Sequence, residues 1–270
     1  MSVIAEMMEP QAASLEVKLA ETTAEIEQVF RLRYQVFVEE EKNPVLYDQS
    51  GLEMDEYDLF CDHLIVKDSS TGVVCGTYRL LPGLRTEDRL GFYSESEFEL
   101  HAFNQYRRHT LELGRSCVAP GYRGGRTLQL LWEGIAAYLN QNRHSFLIGC
   151  ASLHGLCQQE INEIYTMLHR KGVINERYGI KPRETHQVEG LKLLEDHLEE
   201  KAVFRRLPPL MKGYQWLGAE IGGVPAYDPI FNTVDFFIIL ETDKVSKRYQ
   251  RRFLNASSAV QEDNRIRRIV

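Results

Sequence analysis

The chain has 270 residues and carries 32 Lys and Arg against 39 Asp and Glu, so its formal net charge is −7. With 43% hydrophobic residues it can form a core, and its longest apolar run, residues 236–240, is far shorter than the roughly 20 residues of a membrane-spanning helix. Five cysteines at irregular spacing favour reduced thiols, and the start of the chain lacks the pattern of a secretory signal. We therefore expect a soluble, cytoplasmic protein.

The negative charge is concentrated in one segment. Residues 39–62 hold nine acidic residues and one Lys, a local net charge of −8, which leaves about +1 for the rest of the chain. Such a segment repels nucleic acid and attracts a cationic small molecule or a basic partner. A solvated acidic loop is the plain alternative.

The first elements are predicted from periodicity and capping. Residues 1–13 lack periodicity and are predicted to be a flexible leader, and the alternation over 14–19 predicts a strand. A capping-box pattern at Thr22 opens a helix, on which Arg33 and Phe37 fall on the apolar stripe. A buried arginine requires a carboxylate partner.

Strands and helices then alternate along the chain. Because they surround a mixed sheet, we predict an α/β or α+β fold. Further strands are predicted at 63–67, 73–80, 110–118, 145–150 and 234–240, a partly helical stretch at 92–106, and helices at 128–139, 158–169, 191–202 and from Met211 onward.

A glycine turn before one of these helices is a candidate phosphate site. The turn contains Arg123, Gly124, Gly125 and Arg126. Free backbone N–H groups at a helix start, together with two arginines, suit a phosphate. A plain structural turn is the alternative.

Glu112 and Arg115 are candidate catalytic residues on the strand before that turn. Residues three apart face opposite sides of a strand unless it bulges, and Gly114 permits a bulge. Glu112 has the chemistry of a general base or an amine ligand, and Arg115 can pair with the acidic segment. Solvated surface positions are the alternative.

A group of polar residues precedes the second strand: Asp55, Asp58, Asp62 and His63. Its carboxylates can hold a cationic amine, pair with Arg33 or cap turns, and His63 is more typical of a hydrogen-bonded structural histidine. The Cys and His residues at 150–157 lack a complete ligand set, so we predict no metal site.

Four segments recur together, in order and spacing: RYQVFVEE at 33–40, DEYD at 55–58, GTYRLLP at 76–82 and ELGR at 112–115. They resemble the acyl-homoserine-lactone synthases and GNAT-superfamily relatives that use acyl carrier protein. Within that group the chain looks most like the acyl-carrier-protein-dependent ornithine N-acyltransferases of ornithine-lipid synthesis. The discriminating stretches are CDHL at 61–64, ELGRSCV at 112–118, LIGCAS at 147–152 and the tail over 208–231.

The resemblance implies a GNAT-like fold. Its central mixed sheet, flanked by helices, splays open between the strands that end near Val118 and Cys150, and the pantetheine arm lies in the splay. It implies an acyltransferase core over 14–206, a C-terminal helical and strand extension packed on it over 207–255, and a flexible tail over 256–270.

The resemblance also implies an activity in bacterial lipid biosynthesis. A (3-hydroxy)fatty acyl group passes from acyl carrier protein to the α-amine of L-ornithine and gives lyso-ornithine lipid, with no covalent enzyme intermediate and no resident cofactor. The 4′-phosphopantetheine enters on the carrier protein. Arg126 and Leu128 stand where acetyl-CoA-binding turns have small residues, which favours the carrier protein over CoA. This acidic protein is expected to dock on Arg123, Arg126 and Arg143.

The resemblance implies residue roles as well. Glu112 is the base or amine ligand and Arg115 the second catalytic residue. Residues 123–126 bind the carrier or its phosphopantetheine. The implied substrate-binding residues are Arg33, Phe37, Asp55, Asp58, Asp62, His63, Arg79 and Ser116.

Three alternatives remain at this stage: an N-acyltransferase for glycine or lysine, an acyl-homoserine-lactone synthase, and a non-catalytic module that binds acyl chains or lipid. Basic residues over 244–252 suggest peripheral contact with an anionic membrane, for which a solvated helix face is the alternative.

Overall fold

A mixed β-sheet forms the centre of the protein in a computed structural model, which describes residues 14–87 and 90–245. Nine strands form this sheet and two form a separate pair. The strands are β1 (Leu15–Leu19), β2 (Asp62–Asp68), β3 (Val73–Pro82), β4 (Phe98–Glu99), β5 (Thr110–Val118), β6 (Phe146–His154), β7 (Ile174–Asn175), β8 (Lys181–Pro182), β9 (Glu220–Gly222), β10 (Ala226–Asp228) and β11 (Thr233–Glu241). The leader at 1–13, residues 246–255 and the tail at 256–270 lie outside the described residues.

The order of the large sheet is β1-β2-β3-β5-β6-β11-β9-β7, with β10 paired to β11, while β4 pairs with β8. The neighbours are antiparallel except for β5 with β6 and β7 with β9. The predicted α/β class with a central mixed sheet is therefore confirmed.

Helices cover both faces of this sheet. They are α1 (Thr23–Tyr34), continued by a π-helix (Gln35–Glu40), α2 (Arg126–Asn142), α3 (Gln158–Arg170), α4 (Glu200–Arg206) and α5 (Pro209–Leu217). α1 packs with Ile65, whereas α2 packs with Leu64 and Val66. Because neighbouring strand residues point to opposite faces, α1 and α2 lie on opposite sides of the sheet. No helix in the described part of the chain is both long and apolar enough to cross a bilayer.

The predicted start of α1 is confirmed, because the Thr22 side chain accepts a hydrogen bond from the Glu25 backbone N–H at 3.2 Å. The helix predicted over 191–202 is wrong for most of its length, since only Glu200–Arg206 is helical. Over residues 191–199, which come before that helix, side chains of α3 accept hydrogen bonds from the backbone instead. The Lys192 N–H donates to Asn162 at 3.0 Å and the Leu194 N–H donates to Thr166 at 3.0 Å, which satisfies donors that a helix would use.

The parallel strands β5 and β6 separate partway along their length. They pair only from Thr110 with Phe146 to Glu112 with Ile148. At the point of separation a Cβ on Gly149 would lie 2.5 Å from the Leu113 carbonyl oxygen, so only glycine fits there. This opening is the predicted splay.

A bulge interrupts β5 just beyond this point. Arg79 pairs with Gly114 and Thr77 pairs with Cys117, so Arg115 and Ser116 lie together opposite a single residue of β3. The left-handed residue of the bulge is Arg115, with φ of 50°, which follows the Gly114 that the sequence indicated as permitting a bulge. The bulge lets Glu112 and Arg115 face the same side.

Strand β11 pairs with β6 over its full length, from Thr233 opposite His154 to Glu241 opposite Phe146. It belongs to the predicted extension over 207–255, yet it lies inside the sheet and not on top of it. The boundary at residue 206 stays a prediction.

Candidate active site

A cavity of about 330 Å³ opens where β5 and β6 separate. Strand β5 contributes Gly114 and Ser116, and β6 contributes Ser152. Phe37 of the π-helix and Tyr214 of α5 also line the cavity. The splay therefore leads into a cavity that has both polar and apolar walls.

Behind one wall of the cavity lies a closed ring of six alternating charges. Its members are Arg33, Glu53, Arg115, Asp55, Arg79 and Asp58. Each guanidinium contacts two carboxylates and each carboxylate contacts two guanidinium groups, so the ring carries no net charge. Arg33 is fully buried and bonds Asp58 with both terminal nitrogens, at 2.7 and 3.0 Å, and it also bonds Glu53.

Three carboxylates of the acidic segment over 39–62 are paired with arginines in this ring. Arg115 bonds Glu53 at 3.0 Å and Asp55 at 2.9 Å, and Arg79 bonds Asp55 at 2.6 Å. These carboxylates are paired within the protein, so their charge is not free to hold a cationic ligand. The prediction that buried Arg33 has a carboxylate partner is confirmed.

All three ring arginines lie over aromatic rings: Arg33 lies over Phe30 at 5.3 Å, and Arg79 and Arg115 share a further ring. The Tyr93 ring lies 5.2 Å from the Arg79 guanidinium carbon and 4.6 Å from that of Arg115, and Phe231 lies 4.8 Å from Arg115. Arg79 is 3% exposed, and its Nη2 has no hydrogen-bond partner among the described residues. Arg79 and Arg115 line the cavity.

Glu112 lies at the last paired position of β5 with β6 and lines the cavity. Its carboxylate accepts hydrogen bonds from the Tyr93 N–H at 2.7 Å, the Ser94 N–H at 2.9 Å and the Ser94 hydroxyl. Burial raises the pKa of Glu112, although these donors and the charge of Arg79 oppose the rise. A buried carboxylate at this point of the cavity has the chemistry of a general base.

The other predicted substrate-binding residues divide by position. Phe37 and Ser116 line the cavity. Asp62 instead accepts a hydrogen bond from Arg85 at 2.9 Å. His63 packs edge-on against the Phe30 ring, and burial lowers the pKa of His63. The structure therefore gathers Glu112, Arg115, Arg79, Phe37 and Ser116 at the cavity, while Asp62 and His63 lie outside its lining.

The predicted phosphate turn lies at the start of α2, with Gly125 at a φ of 92°. Arg123 is held by both oxygens of Glu40, at 2.5 and 2.6 Å, so a phosphate must compete with that carboxylate. Arg126 is half exposed, 3.7 Å from Glu133. Arg143 follows the other end of this 17-residue helix, roughly 25 Å away, so the three arginines form no single patch.

A buried acidic cluster, not predicted from the sequence, lies beside the cavity, and two of its three carboxylates, Asp228 and Asp235, line it. It consists of Glu97, Asp228 and Asp235, which are 2–3% exposed. Ligand atoms of Glu97, Cys150 and Asp235 lie within 4.8 Å of one another, close enough to hold a cation. Burial, with the neighbouring carboxylates, raises the pKa of Glu97 to about 10 and that of Asp235 to about 6. The available sequence signal was Asp235, a charged residue inside an apolar strand.

Comparison with known proteins shows which proteins this chain is similar to. Residues 32–133 match the family described as acetyltransferase (GNAT) domain. The chain is 36% identical over 246 residues to the L-ornithine N(alpha)-acyltransferase of Brucella abortus strain 2308, covering 87% of each chain. It is 38% identical over 248 residues to that of Rhizobium meliloti strain 1021, covering 88% of this chain and 83% of the relative.

Solved structures of similar fold agree. One is a CoA-dependent acyl-homoserine lactone synthase, MesI, with a TM-score of 0.51, 12% identity, and coverage of 90% of this chain and 95% of the other. Another is FeeM, an N-acyl amino acid synthase from uncultured soil microbes, with a TM-score of 0.51, 10% identity, and coverage of 86% and 92%. These similarities show the fold.

Proposed function

The chain belongs to the L-ornithine N(alpha)-acyltransferase family, and we propose that it transfers a 3-hydroxyfatty acyl group from acyl carrier protein to the α-amine of L-ornithine. A bond forms between the amine nitrogen and the thioester carbonyl carbon, and the carbon–sulfur bond breaks. The products are lyso-ornithine lipid and the free thiol of the carrier's phosphopantetheine.

The observation that carries the proposal is the separation of β5 from β6 over a cavity. Beyond Glu112 and Ile148 the two strands leave facing edges that do not pair with each other. Unpaired strand edges present N–H and C=O groups that an extended, amide-containing arm can bond. A pantetheine arm in this opening brings its thioester to the base of the splay, beside Glu112.

Glu112 takes the first proton in this mechanism. The α-ammonium must lose a proton before the nitrogen can attack, and Glu112 is the carboxylate at the point where the strands separate. Backbone N–H groups of the bulge at Arg115 and Ser116 stabilise the oxyanion. The second proton leaves the nitrogen as the carbon–sulfur bond breaks and goes to the departing thiolate.

The turn at the start of α2 supports a carrier protein as donor. The side chains of Arg126 and Leu128 occupy positions that crowd a pyrophosphate, whereas the carrier presents one phosphate. The carrier docks at Arg123 and Arg126, with its phosphate displacing Glu40 from Arg123. No resident metal or cofactor takes part, since the phosphopantetheine arrives with the carrier.

An assay with matched donors tests the proposal. Purified protein is incubated with 3-hydroxyacyl carrier protein or the matching acyl-CoA and with ornithine, lysine or glycine, and thiol release and product mass are followed. We expect N-acylornithine from the carrier donor. Equal turnover with acyl-CoA would remove the carrier from the proposal. A preferred lysine or glycine product would reassign the acceptor, and no acyl-amide at all would favour a lipid-binding module.

Peripheral membrane contact completes the proposal. The product carries a single acyl chain, and basic residues continue beyond Lys244 into the part of the chain outside the described residues. Basic segments bind anionic lipid at roughly 1 kcal/mol per charge near the surface. Flotation with anionic and with neutral liposomes measures this contact, and we expect the protein to float only with the anionic ones.

A further inference from the structure

Three buried carboxylates of the acidic cluster have no cationic partner within the described residues. Asp235 accepts hydrogen bonds from the Thr233 hydroxyl at 2.6 Å and the Ser152 hydroxyl at 3.1 Å. Asp228 accepts two, from the Ile230 N–H at 2.7 Å and the Phe231 N–H at 3.3 Å. These donors are all neutral. The six-membered ring, by contrast, matches each of its carboxylates with guanidinium groups.

Such a cluster is costly unless a cation compensates it. Burial and mutual repulsion both disfavour the charged forms, which explains the raised pKa values of Glu97 and Asp235. The charge of Arg115 reaches both carboxyls, but its guanidinium bonds Glu53 and Asp55 of the ring. The cluster is therefore short of positive charge.

A second, independent feature of the same cavity points to an anionic group. Arg79 is 3% exposed, it lines the cavity, and its Nη2 has no hydrogen-bond partner within the described residues. This nitrogen lies beside Gly114, 3.8 Å from where a Cβ would stand. A buried guanidinium donor left without an acceptor is destabilising, and a carboxylate is the group that satisfies it best.

The two features together describe a ligand with charges of both signs. Glu112 lines the same cavity as Arg79, Asp228 and Asp235, and its carboxylate interacts electrostatically with Arg79 and with Glu97. An α-amino acid with a cationic side chain has a carboxylate, a reactive amine and a second ammonium group. In this cavity, its ammonium group can pair with the acidic cluster and its carboxylate with Arg79, while its reactive amine lies near Glu112.

We propose that Asp228 and Asp235, which line the cavity next to Glu97, bind the side-chain ammonium of the acceptor amino acid, while Arg79 Nη2 binds its α-carboxylate. This inference rests on the proposed function and adds the residues that select the acceptor. The acidic cluster disfavours amino acids that lack a terminal ammonium, because no positive charge then lies beside its buried carboxyl groups. Selection thus comes from residues outside the acidic segment over 39–62.

The test compares L-ornithine with L-norvaline, which has the same carbon chain without the terminal ammonium. We expect the wild type to prefer ornithine at least about 100-fold in kcat/KM. Asp228→Asn and Asp235→Asn should each reduce this preference at least about tenfold, through a higher KM for ornithine. Asp196→Asn removes the same charge at an exposed position and should leave the preference unchanged. The ratio is taken within one variant, so partial loss of folded enzyme cancels.

Binding to the wild type without a donor gives a second measurement that needs no variant. Calorimetry should show ornithine binding at least about tenfold more tightly than norvaline, and equal affinities would overturn the inference. An unchanged preference in both cluster variants that still acylate ornithine would also overturn it and leave the proposed function standing. If the protein binds one Zn²⁺ per chain in a zinc titration and ornithine does not displace it, the acidic cluster is a metal site instead. Failure of the wild type to acylate any amino acid would overturn the proposed function itself.

Discussion

Replacement of Arg33 by methionine tests the closed ring of charges. The substitution keeps an unbranched side chain of good helix propensity but removes the only ring member that contributes no exposed surface. Glu53 and Asp58 each lose one of two guanidinium partners, so the ring is left with one uncompensated buried negative charge. Removal of one partner from a buried ion pair costs about 3–5 kcal/mol.

That loss is large against the total stability of a typical domain, about 5–15 kcal/mol. Guanidinium chloride unfolding followed by circular dichroism should show a midpoint lowered by about 1 M with an unchanged slope. Arg31→Met is the matched control, because Arg31 lies on the same helix with its side chain 58% exposed and pairs with Glu27 at the surface. It should change the free energy of unfolding by less than about 1 kcal/mol.

A loss below about 1 kcal/mol for Arg33→Met would refute the ring as described. The double variant Arg33→Met with Glu53→Gln provides a further check, because it restores equal numbers of positive and negative charges. We expect it to be more stable than Arg33→Met alone.

Three further predictions concern acid stability, proton transfer and donor docking. Burial tends to raise the pKa of Asp58, but Arg33 and Arg79 hold this pKa at about 2, below its ordinary value of 3.8. Asp58 therefore stabilises the fold by about 2 kcal/mol above about pH 4 and loses this contribution as the pH falls towards 2. Asp58→Asn should flatten the pH dependence of urea unfolding in that range. Glu112→Gln should lower turnover at least about 100-fold, and near-normal activity would remove Glu112 from the chemistry. Its amide oxygen can replace only one of the two carboxylate oxygens that accept the Tyr93 and Ser94 N–H groups, so an unchanged circular dichroism spectrum is the control for the fold. Arg123→Glu with Arg126→Glu should raise the KM for the carrier more than the KM for ornithine, with Arg143→Glu at the far end of α2 as the control; an unchanged KM would place docking elsewhere.

Much of the fold follows from local patterns. The alternation over 110–118 predicted a central strand, and β5 occupies those residues between β3 and β6. Arg33 on an apolar stripe predicted a buried charge with a carboxylate partner, which the ring supplies. The family resembled by the sequence segments is confirmed by relatives at 34–38% identity.

The features that depend on tertiary contacts could not be predicted from sequence patterns. The polar stretch at 191–199 has the composition of a helix, but side chains of Asn162 and Thr166 bind its backbone. The acidic segment was predicted to attract a cationic ligand, yet the ring uses three of its carboxylates within the protein. The acidic cluster joins Glu97 to Asp235, residues far apart in the sequence, so no spacing rule could bring them together.

The position of β11 governs when this protein can be completed during synthesis. Strand β6 pairs with β5 at only three positions, but with β11 at nine. A nascent chain that ends before residue 233 therefore exposes nearly all of β6 on both edges, and exposed strand edges invite association with other chains. Asp235 arrives on the same late strand. The centre of the sheet and one part of the cavity lining thus form together, once residues 233–241 have left the ribosome.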